Sequence, residues 1–166
     1  MNTPKDFRVI GSSVEASTRI SANDARELAG ISYRQLDHWA RQGWVTPSVD
    51  AGIGRAGRRL YSIDDVVRLA LLRHLAISRV NATVAGPAVS ALATVDESEV
   101  VIWGPVPAGP SDEPSLAVVA ASSALQVLEG GGAWVVFDPT PILQSARRKT
   151  DIGDVQETVT RMRGAL

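Results

Sequence analysis

A glycine- and arginine-rich stretch, residues 52–62 with the sequence GIGRAGRRLYS, contains residue types suited to binding phosphate groups. Gly52, Gly54 and Gly57 follow the spacing G-x-G-x-x-G of a dinucleotide-binding turn, which requires a buried strand before it and a helix directly after it. Here Pro47 interrupts the preceding segment, and several residues separate Gly57 from the next predicted helix. The stretch therefore favours the tip of a hairpin whose arginines reach outward over a nucleotide-binding loop.

The charges are distributed unevenly along the chain of 166 residues. Residues 19–80 carry ten arginines against six acidic residues, whereas residues 81–138 carry seven acidic residues and no Lys or Arg. Such asymmetry indicates a polyanionic partner for the first segment only. Arginines that merely solvate helix faces would explain the charge pattern equally well.

Several classes of function are disfavoured by composition. The absence of cysteine excludes disulfides, thiolate metal sites and a cysteine nucleophile. We find no nucleophile paired with a base and no ligand cluster, so we expect neither an enzyme nor a bound metal or cofactor. The chain begins without a secretory-signal pattern and contains no long apolar run, so we expect a cytoplasmic protein that does not enter a membrane.

Two short helices are predicted near the beginning of the basic segment. Ser21 is a natural N-cap and Gly30 a natural end for the first helix, and Ser32 and Gly43 bracket the second, YRQLDHWARQG. The second helix places Leu36, Trp39 and Ala40 on one apolar face. Two short helices joined by a three-residue turn containing glycine are typical of a helix-turn-helix.

A hairpin and a third helix are predicted next. Trp44 and Val45 are expected to begin a strand, and residues 58–62 (RRLYS) to form its return strand around the glycine-rich tip. Ser62 then caps a helix, IDDVVRLALLRHLA, whose apolar residues surround almost its whole circumference. A helix of this kind is expected to pack against neighbours on two sides.

The order helix, turn, helix, arginine-bearing hairpin, helix resembles the winged helix-turn-helix domain of MerR-type transcriptional regulators. The segments ISYRQLDHWARQGWVTPS and GRAGRRLYSIDDVVRLALLRHL are similar to the actinobacterial branch of that family, over about residues 20–80. The resemblance implies a second helix in the DNA major groove and a wing on flanking phosphates. The DNA-binding residues that it implies are Ser32, Tyr33, Arg34, Gln35, His38, Arg55, Arg58, Arg59 and Tyr61.

The side chains at these positions have suitable chemistry. Arginine can donate two hydrogen bonds to guanine or bind a phosphate, and glutamine can pair with adenine. Asp37 departs from the broader family, where many relatives carry a basic residue, and we expect it to pair with a local arginine. We expect Trp39 and Trp44 in the core.

Because the chain lacks both cysteines and the long heptad helix of metal-responsive members, a cysteine-based metal sensor is excluded.

The acidic second half gives weaker patterns. A fourth helix is predicted around NATVAGPAVSALATV, with Pro87 near its first turn, followed by strands in EVVIWGPV, SLAVVA and AWVVFDP. A short helix, SSALQVLEGGG, precedes the last strand, and two helical pieces, PILQSARRK and DVQETVTRMR, end the chain. The predicted fold is mainly α, with an N-terminal winged helix-turn-helix followed by a small α+β C-terminal domain. The predicted boundaries are a flexible arm at 1–18, the winged helix at 19–80, the acidic domain at 81–144 and a basic tail at 145–166.

These patterns lead to one function and two alternatives. The first is a sequence-specific transcriptional regulator that binds double-stranded DNA as a homodimer, with the acidic domain serving dimerisation, contact with a protein partner or response to an effector. An excisionase-like architectural factor that bends DNA is the second. The third is a protein-interaction adaptor that no longer binds DNA, which the acidic second half and Asp37 favour and which Arg34, Arg58 and Arg59 oppose.

Overall fold

Two short helices open the described part of the chain. The structure, a computed structural model, describes residues 18–52, 58–105, 114–129 and 133–163, and gives only the backbone of Pro105 and of residues 152–163. Helix α1 spans Ala22–Ala29 and helix α2 spans Tyr33–Arg41. The Ser21 side chain accepts a hydrogen bond from the Asp24 N–H at the start of α1, and Gly30 ends that helix at φ 67°. Both capping predictions are confirmed, because glycine adopts this left-handed conformation without a Cβ penalty.

Short strands connect this helix pair to the segment after the glycine-rich stretch. Strand β1 (Ile20–Ser21) pairs antiparallel with β2 (Leu60–Tyr61), so that Ile20 lies opposite Tyr61. The Leu60 N–H also donates to the Asp50 carbonyl over 2.8 Å. The two limbs on either side of residues 53–57 therefore meet at Asp50 and Leu60.

The prediction of a strand beginning at Trp44 is wrong. The Trp44 N–H donates to the Trp39 carbonyl over 3.1 Å, so the chain is still completing the turn that ends α2. Val45 is buried at 2 % exposure. Backbone pairing with the return limb begins only at residues 49 and 50, beyond Pro47, which has no N–H to donate.

Helix α3 (Ile63–Ile77) lies at the centre of the molecule. It begins with a capping box in which Ser62 and Asp65 exchange side-chain and backbone hydrogen bonds. Its residues pack against α1, against α4 (Ala82–Ser90) and against the last helix of the chain. The prediction that this broadly apolar helix packs on more than one side is confirmed.

Helix α4 packs closely against the end of the helix-turn-helix. Asn81 caps it, and Pro87 lies inside the helix and not in its first turn, which corrects the prediction for this proline. Gly86 is buried against the indole of Trp44, and a Cβ at Gly86 would lie 2.4 Å from that ring. Glycine is therefore required here by the close approach of α4 to the residue that follows α2.

A three-stranded sheet follows, as predicted from the sequence. Strand β3 (Glu99–Pro105) is central and pairs antiparallel with β4 (Pro114–Ala120) on one side and β5 (Val135–Phe137) on the other. A 3₁₀ turn (Ala121–Ser123) and helix α5 (Ala124–Leu128) connect β4 to β5. The connection joins the two edges of the sheet because β3 lies between β4 and β5.

One long helix closes the described chain. Helix α6 spans Thr140–Arg163, 24 residues, so the prediction of two separate helical pieces is wrong. The sequence between the two predicted pieces contains Gly153 and no proline, which permits the backbone hydrogen bonding to continue. The helix runs through residue 145, where the sequence suggested the start of a tail.

The apolar core is continuous across both halves of the chain. Val101, Trp103 and Phe137 of the sheet and Leu143 and Ala146 of α6 belong to the same buried cluster as the residues of α1, α2 and α3. The described residues form six α-helices and two small sheets, which agrees with the predicted helix-turn-helix in the first half and the mixed α and β structure of the second. None of the helices in the described ranges combines the length and apolar character needed to cross a lipid bilayer.

Candidate nucleic-acid interface

The polar face of α2 is fixed by its cap and by its buried side. The Gln35 N–H donates to Ser32 Oγ over 3.2 Å, and the Ser32 N–H donates to Gln35 Oε1 over 2.9 Å, which completes a capping box. Leu36 and Trp39 are buried at 1 % and 4 % exposure. With one side anchored in the core, the remaining side chains of the helix must face solvent.

Four of the predicted DNA-binding side chains lie together on this solvent face. Tyr33 is 63 % exposed at the first position of the helix. Arg34, Gln35 and His38 are also exposed, and together with Arg41 they line a shallow open depression. The structure therefore presents two guanidinium groups, an amide and an imidazole on one accessible surface, with an aromatic ring at its end.

Arg58 and Arg59 lie immediately before β2 and differ in their surroundings. Arg58 is exposed, whereas Arg59 is half-buried and donates to Asp37 of α2 over 3.2 Å. Asp37 also accepts a hydrogen bond from Arg41, four residues along the same helix. The expectation that Asp37 pairs with a local arginine is confirmed, and the pairing ties the end of the glycine-rich segment to α2.

Hydrogen bonds from these two arginines control the ionisation of Asp37. The hydrogen bond from Arg41, followed by that from Arg59, lowers the pKa of the Asp37 carboxyl below its ordinary value of 3.8. The carboxylate is therefore negatively charged at neutral pH. A fixed anion thus lies on the same helix as the cationic groups.

Two other predicted interface residues are placed differently. Tyr61 is completely buried, at 0 % exposure, within the core. Burial raises the pKa of its hydroxyl above the ordinary value of 10.0. The ring of Tyr61 therefore supports β2 from inside and presents no surface to a ligand in this structure. Arg55 lies outside the described residues.

A buried carboxylate, that of Asp65, organises the segment that follows α2. Asp65 is 2 % exposed, and its Oδ2 accepts hydrogen bonds from the Ser48 N–H over 2.8 Å and from Ser48 Oγ over 2.7 Å. The same oxygen accepts from the Ser62 N–H over 3.0 Å. The spacing of Ser62 and Asp65 indicates a capping box, but the contact with Ser48 is long-range and carries no sequence signature.

Arg68 continues this network towards the second half of the chain. Its Nη1 contacts Asp65 Oδ1 over 3.2 Å, and its Nε and Nη2 donate to the Leu92 carbonyl over 3.2 and 2.8 Å. The sequence alone left Arg68 as a possible solvated charge on α3. The structure shows that it joins the start of α3 to the segment that follows α4.

A second group of ion pairs joins α6 to α1. Lys149 Nζ lies 2.7 Å from Asp24 Oδ1 and 3.0 Å from Glu27 Oε2. These contacts with Asp24, followed by Glu27, raise the pKa of Lys149 above its ordinary value. Sequence reasoning missed this cluster, because the residues are more than 120 positions apart and all three are ordinary surface charges.

The pKa values of the two carboxyl groups in this cluster are also shifted from their ordinary values. Burial raises the pKa of Asp24, but hydrogen bonds from Lys149 and Ser21 outweigh it and leave the pKa below 3.8. Hydrogen bonds from Lys149 and Asn23 lower the pKa of Glu27 below 4.5.

Across the described part of the chain, no group of three or more His, Cys, Asp or Glu side chains is arranged to hold a metal ion.

Comparison with known proteins identifies the segment that carries this surface. Residues 20–81 match the family model described as "MerR HTH family regulatory protein". A segment of 51 residues is 45 % identical to uncharacterized HTH-type transcriptional regulators of Mycobacterium bovis and Mycobacterium tuberculosis. The matched segment is 31 % of this chain and 23 % of each relative.

The match covers α1, the turn, α2, β2 and α3, and these elements carry every residue assigned above to the exposed polar surface. The resemblance stated from the motifs of the second helix and of the RRLYS segment is confirmed. The likeness to the mycobacterial relatives extends over 51 residues, so this chain matches less than a quarter of the length of each relative. Residues 20–81 are therefore similar, in sequence and in the order of their helices, to the helix-turn-helix domain of MerR-type regulators.

Proposed function

We propose that the chain is a DNA-binding transcriptional regulator that reads sequence with the exposed face of α2. The observation that carries this proposal is the grouping of Tyr33, Arg34, Gln35 and His38 on the solvent side of a helix whose other side is locked in the core. Side chains of these types hydrogen-bond to base edges in the major groove. Helix-turn-helix proteins place the N-terminal part of their second helix in that groove.

Arg58 serves as a phosphate contact in this proposal, and Arg59 lies beside it where it links the wing to the recognition helix. Arg55, between Gly54 and Gly57 in the sequence, is proposed to bind a flanking phosphate. Ser32 caps the start of α2, where the N–H groups of the first turn have no partner within the helix and favour an anion. Tyr61 acts from the core as a support for β2 and makes no DNA contact.

We also propose that the protein acts as a homodimer on an inverted repeat. A two-fold symmetric protein places its two recognition helices about one turn of DNA apart, which matches a palindromic operator. The acidic segment 81–138 would be repelled by the duplex, so it is assigned to the side away from DNA, where it serves dimerisation or contact with another protein.

Fluorescence anisotropy with the full chain tests the interface residue by residue. Labelled duplexes of random sequence and of the region upstream of the gene would be titrated at several salt concentrations. Replacing a phosphate-binding arginine, Arg58→Ala, should weaken binding to both duplexes and reduce the log–log salt slope by about 1. Replacing a base-reading arginine, Arg34→Ala, should cost about 1–3 kcal/mol on the preferred sequence and little on random DNA.

Arg148→Ala is the matched control, because it removes one exposed arginine outside the family-matched segment. It should leave both affinities nearly unchanged. A salt slope that is the same in Arg58→Ala and wild type would remove this residue from the interface. Failure of the wild-type chain to bind any duplex at low salt would favour the adaptor function, in which the exposed face of α2 contacts a protein.

A further inference from the structure

The surface of α2 contains one acidic side chain among its cationic groups. Asp37 is the only acidic residue between Tyr33 and Arg41. Its Oδ1 lies 3.2 Å from Arg59 Nη1, and its Oδ2 accepts from Arg41. One carboxylate therefore binds a guanidinium of its own helix and a guanidinium brought from β2, 22 positions away in the sequence.

These pairs lie at the surface and not inside the protein. The side chain of Asp37 is 28 % exposed, and those of Arg59 and Arg41 are 34 % and 71 % exposed. Ion pairs in such a setting gain little net free energy, because water and salt screen them. The contribution of Asp37 to folding stability is thus small, which leaves its effect on the charge of the surface as its larger consequence.

A phosphate and the Asp37 carboxylate compete for the same donors. Guanidinium groups bind phosphate and carboxylate through the same fork of N–H groups, so an arginine held by a carboxylate is less available to a phosphate. Binding to random DNA depends almost entirely on the number of phosphates that cations neutralise. A carboxylate that occupies two arginines therefore weakens binding to any duplex, whatever its sequence.

A duplex of preferred sequence offsets this loss of binding free energy through contacts to its bases, which a random duplex does not provide. When Arg34 and Gln35 find matching base edges, the helix enters the groove more closely and the hydrogen bonds to bases add to the phosphate contacts. We propose that Asp37 is a specificity-determining residue, whose carboxylate withholds Arg41 and Arg59 from the phosphates of non-matching DNA. The inference rests on the proposed DNA-binding function of α2.

The isosteric substitution Asp37→Asn tests this role in the full chain. The probe is a labelled duplex of random sequence, titrated by fluorescence anisotropy across a fourfold range of salt. Each of the two released arginines that meets a phosphate should steepen the log–log salt slope by about 0.9. For each such arginine, the affinity for this duplex should exceed that of wild type by a factor that grows roughly threefold over a fourfold fall in salt.

Two further variants separate this mechanism from a general change in charge. Glu129→Gln makes the same charge change at an exposed residue of the second half and should leave the slope unaltered. Asp37→Glu keeps the charge and should restore most of the wild-type discrimination. In an Arg59→Ala background the gain from Asp37→Asn should shrink, because one of the two arginines that the carboxylate holds is already absent.

The outcomes distinguish this inference from the function on which it depends. If wild type and Asp37→Asn both fail to bind DNA, the proposed function and the inference are both overturned. If wild type binds DNA and Asp37→Asn binds random duplex no more tightly, with an unchanged slope, the inference alone is overturned. A gain as large in Glu129→Gln would likewise reject it, since the effect would then come from net charge.

Discussion

Asp65 places a buried carboxylate between the segment that follows α2 and the start of α3. It accepts hydrogen bonds from the N–H and hydroxyl of Ser48 and from the N–H of Ser62, while Arg68 balances its charge. Buried polar groups of this kind stabilise a fold only when all of their partners are present. The position of the chain between α2 and the glycine-rich segment therefore depends on one side chain.

Replacing Asp65 with alanine should destabilise the protein strongly. The change leaves the N–H groups of Ser48 and Ser62 and the Arg68 guanidinium without their acceptor, so the free energy of unfolding should fall by about 3 kcal/mol. Chemical denaturation of the full chain measures this loss. Asp64→Ala is the control, because Asp64 is less buried and its carboxylate accepts from Thr94 at the surface. Equal losses in the two variants would contradict a special role for Asp65.

At the scale of single elements, α6 is attached to α1 by charge as well as by apolar packing. Lys149 contacts Asp24 and Glu27, and the pKa values of both carboxyls are lowered below 3.8 and 4.5. A lowered folded-state pKa stabilises the protein above the unfolded value, and this stability is lost as the pH falls through the folded value. The attachment should therefore hold at neutral pH and weaken in acid.

Comparing wild type with Lys149→Ala across pH tests this attachment. At neutral pH the variant should melt at a slightly lower temperature, and the difference should close as the pH falls below 3.8 and the carboxylates are protonated. Thermal melting followed by circular dichroism measures it. Arg148→Ala, a neighbour whose guanidinium donates to Ser145 of the same helix, should show no such pH dependence. A difference that persists in acid would assign the effect to packing.

Local signals explain which elements could be predicted. Ser21, Ser32 and Ser62 each begin a helix in the structure, because a serine cap acts on N–H groups only two or three residues away. The strand expected at Trp44 failed because Val45 and its neighbours are apolar for packing reasons, which a short pattern cannot separate from a strand. The single helix α6 was missed because residues 150–153, which include Gly153, separate its two predicted helical segments in the sequence.

The part of the candidate site on α2 was predictable because short-range sequence patterns determine which side chains of a helix are exposed. Arg34, Gln35 and His38 are exposed because they lie opposite Leu36 and Trp39 on one helix, which the sequence shows directly. Tyr61 could not be placed, since alternation along a two-residue strand does not show which face is buried. The Asp37–Arg59 pair was expected only as some local pairing, because its geometry depends on how β2 lies against α2.

At the scale of the whole molecule, the helix-turn-helix and the second half share one core. Val101 and Phe137 of the sheet and Leu143 and Ala146 of α6 lie in the same cluster as the buried residues of α3. Arg68 adds hydrogen bonds to the Leu92 carbonyl across the same junction. The family-matched segment thus receives part of its support from residues outside it.

A fragment ending at residue 80 should therefore fail to fold as a stable unit. Removing the second half exposes the faces of α3 that contact α4, α6 and β5. Because α3 contains several fully buried leucines, the fragment would lose part of the apolar burial that stabilises this helix. Circular dichroism should show reduced helix content and no cooperative melting transition, whereas the full chain should melt cooperatively. A fragment with a sharp transition would show that the first segment carries a sufficient core of its own.

The shared core also limits how this protein can have exchanged parts during evolution. A recombination event that joined residues 20–81 to a different C-terminal half would have to provide new apolar side chains for the outward faces of α3 and a new acceptor for Arg68. His74 holds one of the positions on those faces, since its ring centroid lies 5.6 Å from that of Phe137 in the sheet. We therefore expect them to vary among relatives together with the C-terminal half that covers them, and we expect the exposed face of α2 to vary independently of that half.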